Sequence, residues 1–196
     1  ITSENLKKQK PIQLSIVGRP NIGKSTFVNS LLKEHRVVAN DMAGTTRDCI
    51  QVQWSYGGRR IILVDTAGIK PGTGLPKEQV DILVNEQVDE TINYSHVVCV
   101  MIDCMEAFTG TDMQIIDKVL EEGRSIVIIA NKWDLIEDKY KKKATQWMEK
   151  QLEKGLGQAK GIPIAYVSAK TGTRVDNVMD EVMRVYEKWN TRVSTG

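Results

Sequence analysis

The sequence predicts an α/β fold built on a six-stranded, mostly parallel sheet, with one antiparallel edge strand and helices on both faces. Three observations carry this expectation. Short apolar runs alternate along the chain with segments of helical period. Two of the runs, residues 97–102 and 125–130, are apolar almost throughout, as suits strands buried on both faces of a parallel sheet. Gly57-Gly58 separates two strand-like segments, which signals a tight hairpin and hence one antiparallel strand.

Each element follows in order. Residues 1–10 are polar and basic and read as a tail or linker. Residues 12–17 form the first strand. From Lys24 to Leu32 the apolar residues Phe27, Val28, Leu31 and Leu32 keep a helical period. Residues 35–47 have no period and read as a loop. Residues 48–56 and 60–65 are the hairpin strands. Residues 69–76 hold Pro71, Gly72 and Gly74 in quick succession and are expected to be irregular. A helix is expected over residues 77–93. After the 97–102 strand, Met113, Ile116, Val119 and Leu120 mark another helix. After the 125–130 strand, residues 139–154 form a charged helix with Trp147, Met148 and Leu152 on one side. Its lysines, including the run Tyr140-Lys141-Lys142-Lys143, read as a solvated face. Residues 162–167 are the last strand, and residues 175–189 the last helix, with Val178, Val182, Val185, Tyr186 and Trp189 on its apolar face.

Composition places the chain among ordinary globular domains. It has 196 residues, 41% hydrophobic and 27% charged, with 27 basic and 25 acidic residues giving a net charge of +2. That balance demands neither nucleic acid nor a membrane. Three cysteines, Cys49, Cys99 and Cys104, lie in or beside apolar runs without a C-x-x-C spacing, so buried thiols are expected rather than a disulfide framework. His35 and His96 have no partner at metal-ligand spacing. No membrane span or signal peptide is visible. The chain begins with Ile rather than Met, so it is expected to be a piece of a longer protein.

Four short motifs, each after a strand, carry the chemistry. Gly18-Arg19-Pro20-Asn21-Ile22-Gly23-Lys24-Ser25 follows the first strand and opens a helix that continues with Thr26. The glycines let backbone N–H groups close around phosphate oxygens, and the helix N-terminus adds a favourable dipole. Lys24 is placed to reach the β and γ phosphates and Ser25 to ligate Mg²⁺. Asp65-Thr66-Ala67-Gly68 supplies a carboxylate for the Mg²⁺ shell and an N–H, from Gly68, for a γ-phosphate. In Asn131-Lys132-Trp133-Asp134, the Asp134 carboxylate can accept from both donors on the guanine edge, whereas adenine would turn a lone pair toward it. Ser168-Ala169-Lys170 offers a backbone N–H to guanine O6. The expected ligand is therefore GTP or GDP. A nucleotide-dependent kinase or ATPase is the competing class, and Asn131 to Asp134 argue against it.

The order and spacing of these motifs resemble the translation-factor-like GTPases of Ras-like P-loop fold. Between the first two motifs, Asn40-Asp41-Met42-Ala43-Gly44-Thr45-Thr46-Arg47-Asp48 resembles the first switch of the Era/EngA/MnmE branch. G-R-P-N-x-G-K-S, D-T-A-G-I and N-K-W-D, with the terminal N-T-R-V-S-T-G, look like the second G domain of the EngA (Der) family of tandem GTPases. The resemblance implies a G domain over residues 11–190, with 191–196 starting a linker to a KH-like domain and a first G domain on the other side. It implies a GTP-hydrolysing switch in ribosome assembly, chiefly of the large subunit, with ribosomal particles or rRNA as partners and no membrane. The setting is bacterial cytoplasm, or an organelle in a eukaryote, and the isolated domain is expected to be monomeric. A GTP-binding module with negligible turnover until the ribosome activates it is the alternative within this class.

The resemblance also implies a catalytic arrangement. Ser25, Thr46 and Asp65, the last through water, hold Mg²⁺, while Lys24, Thr46 and Gly68 meet the γ-phosphate, and Thr45 and Thr46 close over the nucleotide. Ile69 stands where Ras-like enzymes place a water-orienting Gln. In the MnmE branch a K⁺ ion supplies positive charge in place of an arginine finger. Here Asn21 would hold it with first-switch contacts from Asn40, Met42 and Thr45. The stretch after D-T-A-G-I, usually rich in Arg and Lys in the family, is Lys70-Pro71-Gly72-Thr73-Gly74-Leu75-Pro76 in this chain.

Overall fold

The computed structural model describes residues 10–34, 51–64, 88–157 and 161–193. Six strands, β1 (Ile12–Val17), β2 (Gln51–Tyr56), β3 (Arg59–Val64), β4 (Val97–Asp103), β5 (Ser125–Asn131) and β6 (Ile164–Tyr166), form a sheet in the order β2-β3-β1-β4-β5-β6. All pairings are parallel except β2 with β3, which meet across the Gly57-Gly58 turn. The helices are α1 (Lys24–Glu34), α2 (Gly110–Glu121), α3 (Asp138–Leu156) and α4 (Val175–Val193), and residues 88–93 are also helical. No helix among the described residues is long and apolar enough to cross a membrane.

Strand periodicity divides the core into two layers. On β4, Val97, Cys99 and Met101 face α1 and α4, while Val98, Val100 and Ile102 face α2, α3 and residues 88–93. Phe27 and Leu31, one turn apart on α1, are fully buried in the first layer. Burying each contributes on the order of 2 kcal/mol and pins α1 so that its N-terminus lies beside the end of β1. In the second layer Met148 and Leu152 anchor α3. α2 begins with a capping box: Thr109 Oγ1 accepts from the Asp112 N–H, and Asp112 Oδ2 accepts from the Thr109 N–H at 2.9 Å.

Three expectations change. Trp147 does not share the buried side of α3 with Met148 and Leu152, because it lies on the outward turn of the helix and is 49% exposed. The last strand is shorter than residues 162–167. Only Ile164–Tyr166 pair regularly with β5, although Val167 N–H still donates to the Ala130 carbonyl at 2.9 Å. The last helix runs on past residue 189 to Val193, where the charged and polar turn beyond Trp189 keeps its backbone bonds. Cys99 and Cys104 are buried free thiols; burial pushes both up, Cys104 to about 11. Cys49 lies outside the described residues.

The chain goes from β1 to β2 and β3 on one side, then crosses to β4, β5 and β6 on the other, and β1, β4, β5 and β6 all run parallel. The loops after β1, β4, β5 and β6 therefore gather at one edge, outside the carboxyl ends of the strands. In an open α/β sheet this is the crevice where ligands bind.

Candidate nucleotide-binding site

The loop from Gly18 to Gly23 sits on the ends of β4 and β5. Gly18 has φ 152°, and a Cβ there would meet the Met101 carbonyl oxygen at 2.5 Å. Gly23 has φ 102°, and a Cβ there would meet Asn131 Nδ2 at 2.5 Å. The sequence reading assigns these glycines to close approach by phosphate. The structure adds a packing reason: a side chain at Gly18 would press the loop away from the β4 backbone, and one at Gly23 would displace the Asn131 carboxamide.

Lys24 crosses the loop. Its ammonium donates to the Gly18 carbonyl at 2.7 Å and to the Arg19 carbonyl at 2.8 Å. Burial lowers its pKa, because partial removal from water disfavours the charged form. Those two bonds hold a cation inside the turn, where a polyphosphate would meet it. Ser25 and Thr26 are exposed on the first turn of α1, where helix N–H groups have no intrahelical acceptor. Pro20 and Asn21 are exposed at the loop tip, with Asn21 at φ 60°. The Ile22 side chain is buried in the core beneath.

Arg19 is turned away from the loop interior. Its Nε donates to Asp112 Oδ1 at 2.9 Å, and its Nη2 to the Glu106 carbonyl at 3.1 Å. The carboxylates hold the guanidinium above its ordinary value against the opposing effect of burial. Its side chain thus fastens the phosphate loop to α2, and only its backbone belongs to the loop wall.

Asn131 ties the first motif to the fourth. Its Nδ2 donates to the Ile22 carbonyl at 3.0 Å, and its Oδ1 accepts from the Ala169 N–H at 2.9 Å. The side chain is buried, so neither bond competes with water. Lys132 adopts φ 67° and its ammonium donates to Asp103 Oδ2, which raises the lysine pKa. Cys104 Sγ donates to the Lys132 carbonyl at 3.2 Å. Trp133 is buried; its N–H donates to the Val167 carbonyl at 3.0 Å, and its ring lies 4.5 Å from that of Tyr166. Asp134 follows on the single turn Trp133–Leu135 and is exposed, with no hydrogen bond or ion pair among the described residues. Ser168 is buried, accepting at Oγ from the Thr171 N–H at 3.3 Å, while Lys170 is exposed.

The described residues thus bring Gly18 to Thr26, Asn131 to Asp134 and Ser168 to Lys170 to one edge of the sheet. Asn40, Met42, Thr45, Thr46, Asp65, Thr66, Ala67, Gly68 and Ile69 lie outside the described residues. Sequence reasoning missed Asp103 and Asp112. Asp112 carries a legible signal, since Thr109 to Asp112 is a T-x-x-D capping pattern. Asp103 carries none beyond its place at a strand end. Among the described residues no group of three or more His, Cys, Asp or Glu side chains is placed to hold a metal.

Two family models match the chain: 50S ribosome-binding GTPase over residues 13–132 and the elongation factor Tu GTP-binding domain over residues 84–188. Among curated proteins, GTPase Der of Mesorhizobium japonicum is 40% identical over 95% of this chain and 38% of its own length. GTPase Der of Orientia tsutsugamushi is 38% identical over 100% of this chain and 44% of its own. The chain thus spans about two fifths of the length of the curated relatives it matches. Among solved structures, Era in complex with MgGDPNP and nucleotides 1506-1542 of 16S ribosomal RNA has a TM-score of 0.65 at 25% identity, covering 90% of this chain and 57% of that one. The phosphate loop, the guanine-type motif and the sheet order agree with these matches, and the chain belongs to the 50S ribosome-binding GTPase family, with a GTPase domain of Ras-like P-loop architecture.

Proposed function

We propose that the chain is the second G domain of a Der-type tandem GTPase and acts as a guanine-nucleotide switch in assembly of the large ribosomal subunit. Residues 11–190 form the domain, 1–10 a linker, and 191–196 the start of the passage to a KH-like domain. A first G domain precedes it, and the setting is bacterial cytoplasm or an organelle. The observation that carries the nucleotide reading is the Asn131 carboxamide, bonded to both Ile22 and Ala169. It locks phosphate loop and base loop at a fixed separation, with the exposed Asp134 carboxylate beside them. Such an arrangement serves a ligand with a purine at one end and phosphates at the other.

Lys24 supplies the fixed positive charge for the β and γ oxygens, and phosphoryl transfer depends mainly on such placed charge. Ser25 presents its hydroxyl at the head of α1, where it fits a Mg²⁺ shell completed by Thr46 and Asp65. The bound Mg²⁺ supplies charge neutralisation at the phosphates. Asn21 at the loop tip, with Asn40, Met42 and Thr45, holds K⁺ in this reading, and Gly68 meets the γ-phosphate.

A competition titration tests the nucleotide class: GTP and GDP bind and ATP does not displace them. In Asp134→Asn, affinity for guanine nucleotides falls by ~10² or more and xanthine nucleotides gain, because the amide meets a carbonyl where guanine has an amine. Equal affinity for ATP and GTP overturns the assignment. Turnover in KCl above that in NaCl, lost in Asn21→Ala, tests the potassium reading. Recovery of ribosomal particles with the full-length protein in a GTP analogue tests the biological one.

A further inference from the structure

Helix α3 carries six lysines against three acidic residues, and one side of it is accounted for by the core. Met148 and Leu152 fill the second core layer. On the outward side, Tyr140, Lys143, Trp147, Lys150 and Lys154 recur at steps of three and four, so they share one stripe. All five are exposed. The stripe spans fifteen residues, about 21 Å from first to last. Tyr140 is 52% exposed and Trp147 is 49% exposed. The acidic residues Asp138, Glu149 and Glu153 fall outside the stripe on the helical wheel. Asp138 is already paired with Lys141, and Lys139 with Glu137. Lys143, Lys150 and Lys154 make no ion pair among the described residues.

A solvated helix face needs lysines, and although the Lys139 ammonium lies 4.8 Å from the centre of the Tyr140 ring, the other side of that ring and the Trp147 indole have no such use on the helix. Single exposed apolar residues are common. Two aromatics seven positions apart on one stripe, with Lys143 between them and Lys150 beyond Trp147, form a pattern with a use. Aromatic faces stack on unpaired bases and the ammonium groups meet the intervening phosphates. A membrane is the poorer occupant, because an interfacial helix inserts its apolar face and here that face is committed to the sheet. A protein partner is also poorer, because lysine is depleted at protein interfaces where arginine is enriched, and α3 has no arginine.

We propose that the Tyr140–Lys154 stripe of α3 is a docking surface for single-stranded RNA. The choice of RNA among nucleic acids rests on the ribosomal reading above; the aromatic and basic spacing stands without it. None of the five side chains belongs to the nucleotide site, so the two activities are separable.

The test uses the chain as it stands with a fluorescently labelled, mixed-sequence single-stranded RNA of about 12 nucleotides, within the usual range of such sites. Parallel arms contain a duplex RNA of the same sequence, the corresponding DNA strand and vesicles of phosphatidylglycerol. The single-stranded RNA binds, and Tyr140→Ala with Trp147→Ala weakens it ~10-fold or more, as expected for loss of stacking. Lys150→Ala with Lys154→Ala reduces the slope of log affinity against log salt by about 0.7 for each phosphate that is no longer neutralised. Guanine-nucleotide affinity stays at the wild-type value in every variant, which also shows that each one folds. No RNA binding, RNA binding indifferent to both double variants, or preferential binding to the vesicles overturns the proposal. Preference for the DNA strand overturns the choice of RNA. Loss of guanine selectivity in the wild-type chain, with the RNA results intact, would remove the functional reading and leave the surface.

Discussion

Arg19 of the phosphate loop and Asp112 of helix α2, 93 positions apart, form an ion pair with Nε 2.9 Å from Oδ1. Asp112 is fully buried, and its other oxygen caps α2 through the Thr109 N–H. Arg19→Ala leaves the fully buried Asp112 short of a bond, and Asp112→Ala removes both the partner of Arg19 and the acceptor that caps α2 at the Thr109 N–H. Arg19→Ala and Asp112→Ala are each expected to cost ~1–3 kcal/mol. The double variant costs less than the sum, because both changes remove one interaction. Urea denaturation of the four proteins measures the coupling, and strict additivity would show that the pair stabilises nothing.

Asn131→Ala removes the bonds to Ile22 and Ala169 together. It is expected to lower the melting temperature and the affinity for guanine nucleotides in the same variant. The stability loss is ~1–3 kcal/mol, since a buried carbonyl and a buried N–H lose their partners. Calorimetry and a nucleotide titration on one preparation check this. A drop in affinity with an unchanged melting curve would mean that Asn131 touches ligand without bracing the loops.

Lys24→Ala is expected to slow hydrolysis by ~10²–10³, as for loss of one placed charge at a reacting phosphoryl group. It also releases the carbonyls of Gly18 and Arg19, so a folding cost of about 1 kcal/mol accompanies it. Single-turnover rates and denaturation midpoints separate the two effects. A rate within twofold of wild type would assign Lys24 to the loop's architecture alone.

His96 gives the fold a pH dependence. Its Nδ1 accepts the Gln13 N–H at 3.1 Å, and its ring packs 5.8 Å from Tyr186 and 5.6 Å from Trp189. Burial, then Arg124 and Lys10, lower its pKa below the ordinary 6.5. The unfolded chain therefore takes up the proton first as pH falls, and stability contributed by neutral His96 is complete above about 6.5 and lost on the way down through the folded value. His96→Gln should flatten that part of the stability curve. Melting temperatures from pH 8 to pH 5 for the two proteins test it, and parallel curves would place the acid sensitivity elsewhere.

Periodicity and turn residues made most of the sheet legible. The apolar run 12–17, the paired glycines at 57 and 58, and the unbroken runs that became β4 and β5 each encode strand and burial locally. Trp147 shows where that reasoning stops. It sits beside Met148 in sequence, but one helical step of about 100° separates a core position from solvent. The motifs located the site, but the braces within it are long-range. Nothing near Arg19 points to Asp112, and nothing in the Asn131 motif tells that its carboxamide reaches forward to residue 169 and back to residue 22. Side-chain bonds across 38 to 109 positions leave no local pattern to read.

The placement of β1 between β3 and β4 has a consequence in time. During synthesis the phosphate loop emerges first, yet Gly18 rests on Met101, Gly23 abuts Asn131, and Asn131 finds its second partner only at Ala169. A nascent chain that stops short of β6 has the phosphate-binding sequence and its contacts to β4 and β5, but not the bond from Ala169 that fixes the far side of Asn131. Contacts of such sequence separation close late, after the intervening loops have been ordered. A chain cut between β5 and β6 is therefore expected to bind guanine nucleotide more weakly than the whole domain, although it carries the whole first motif.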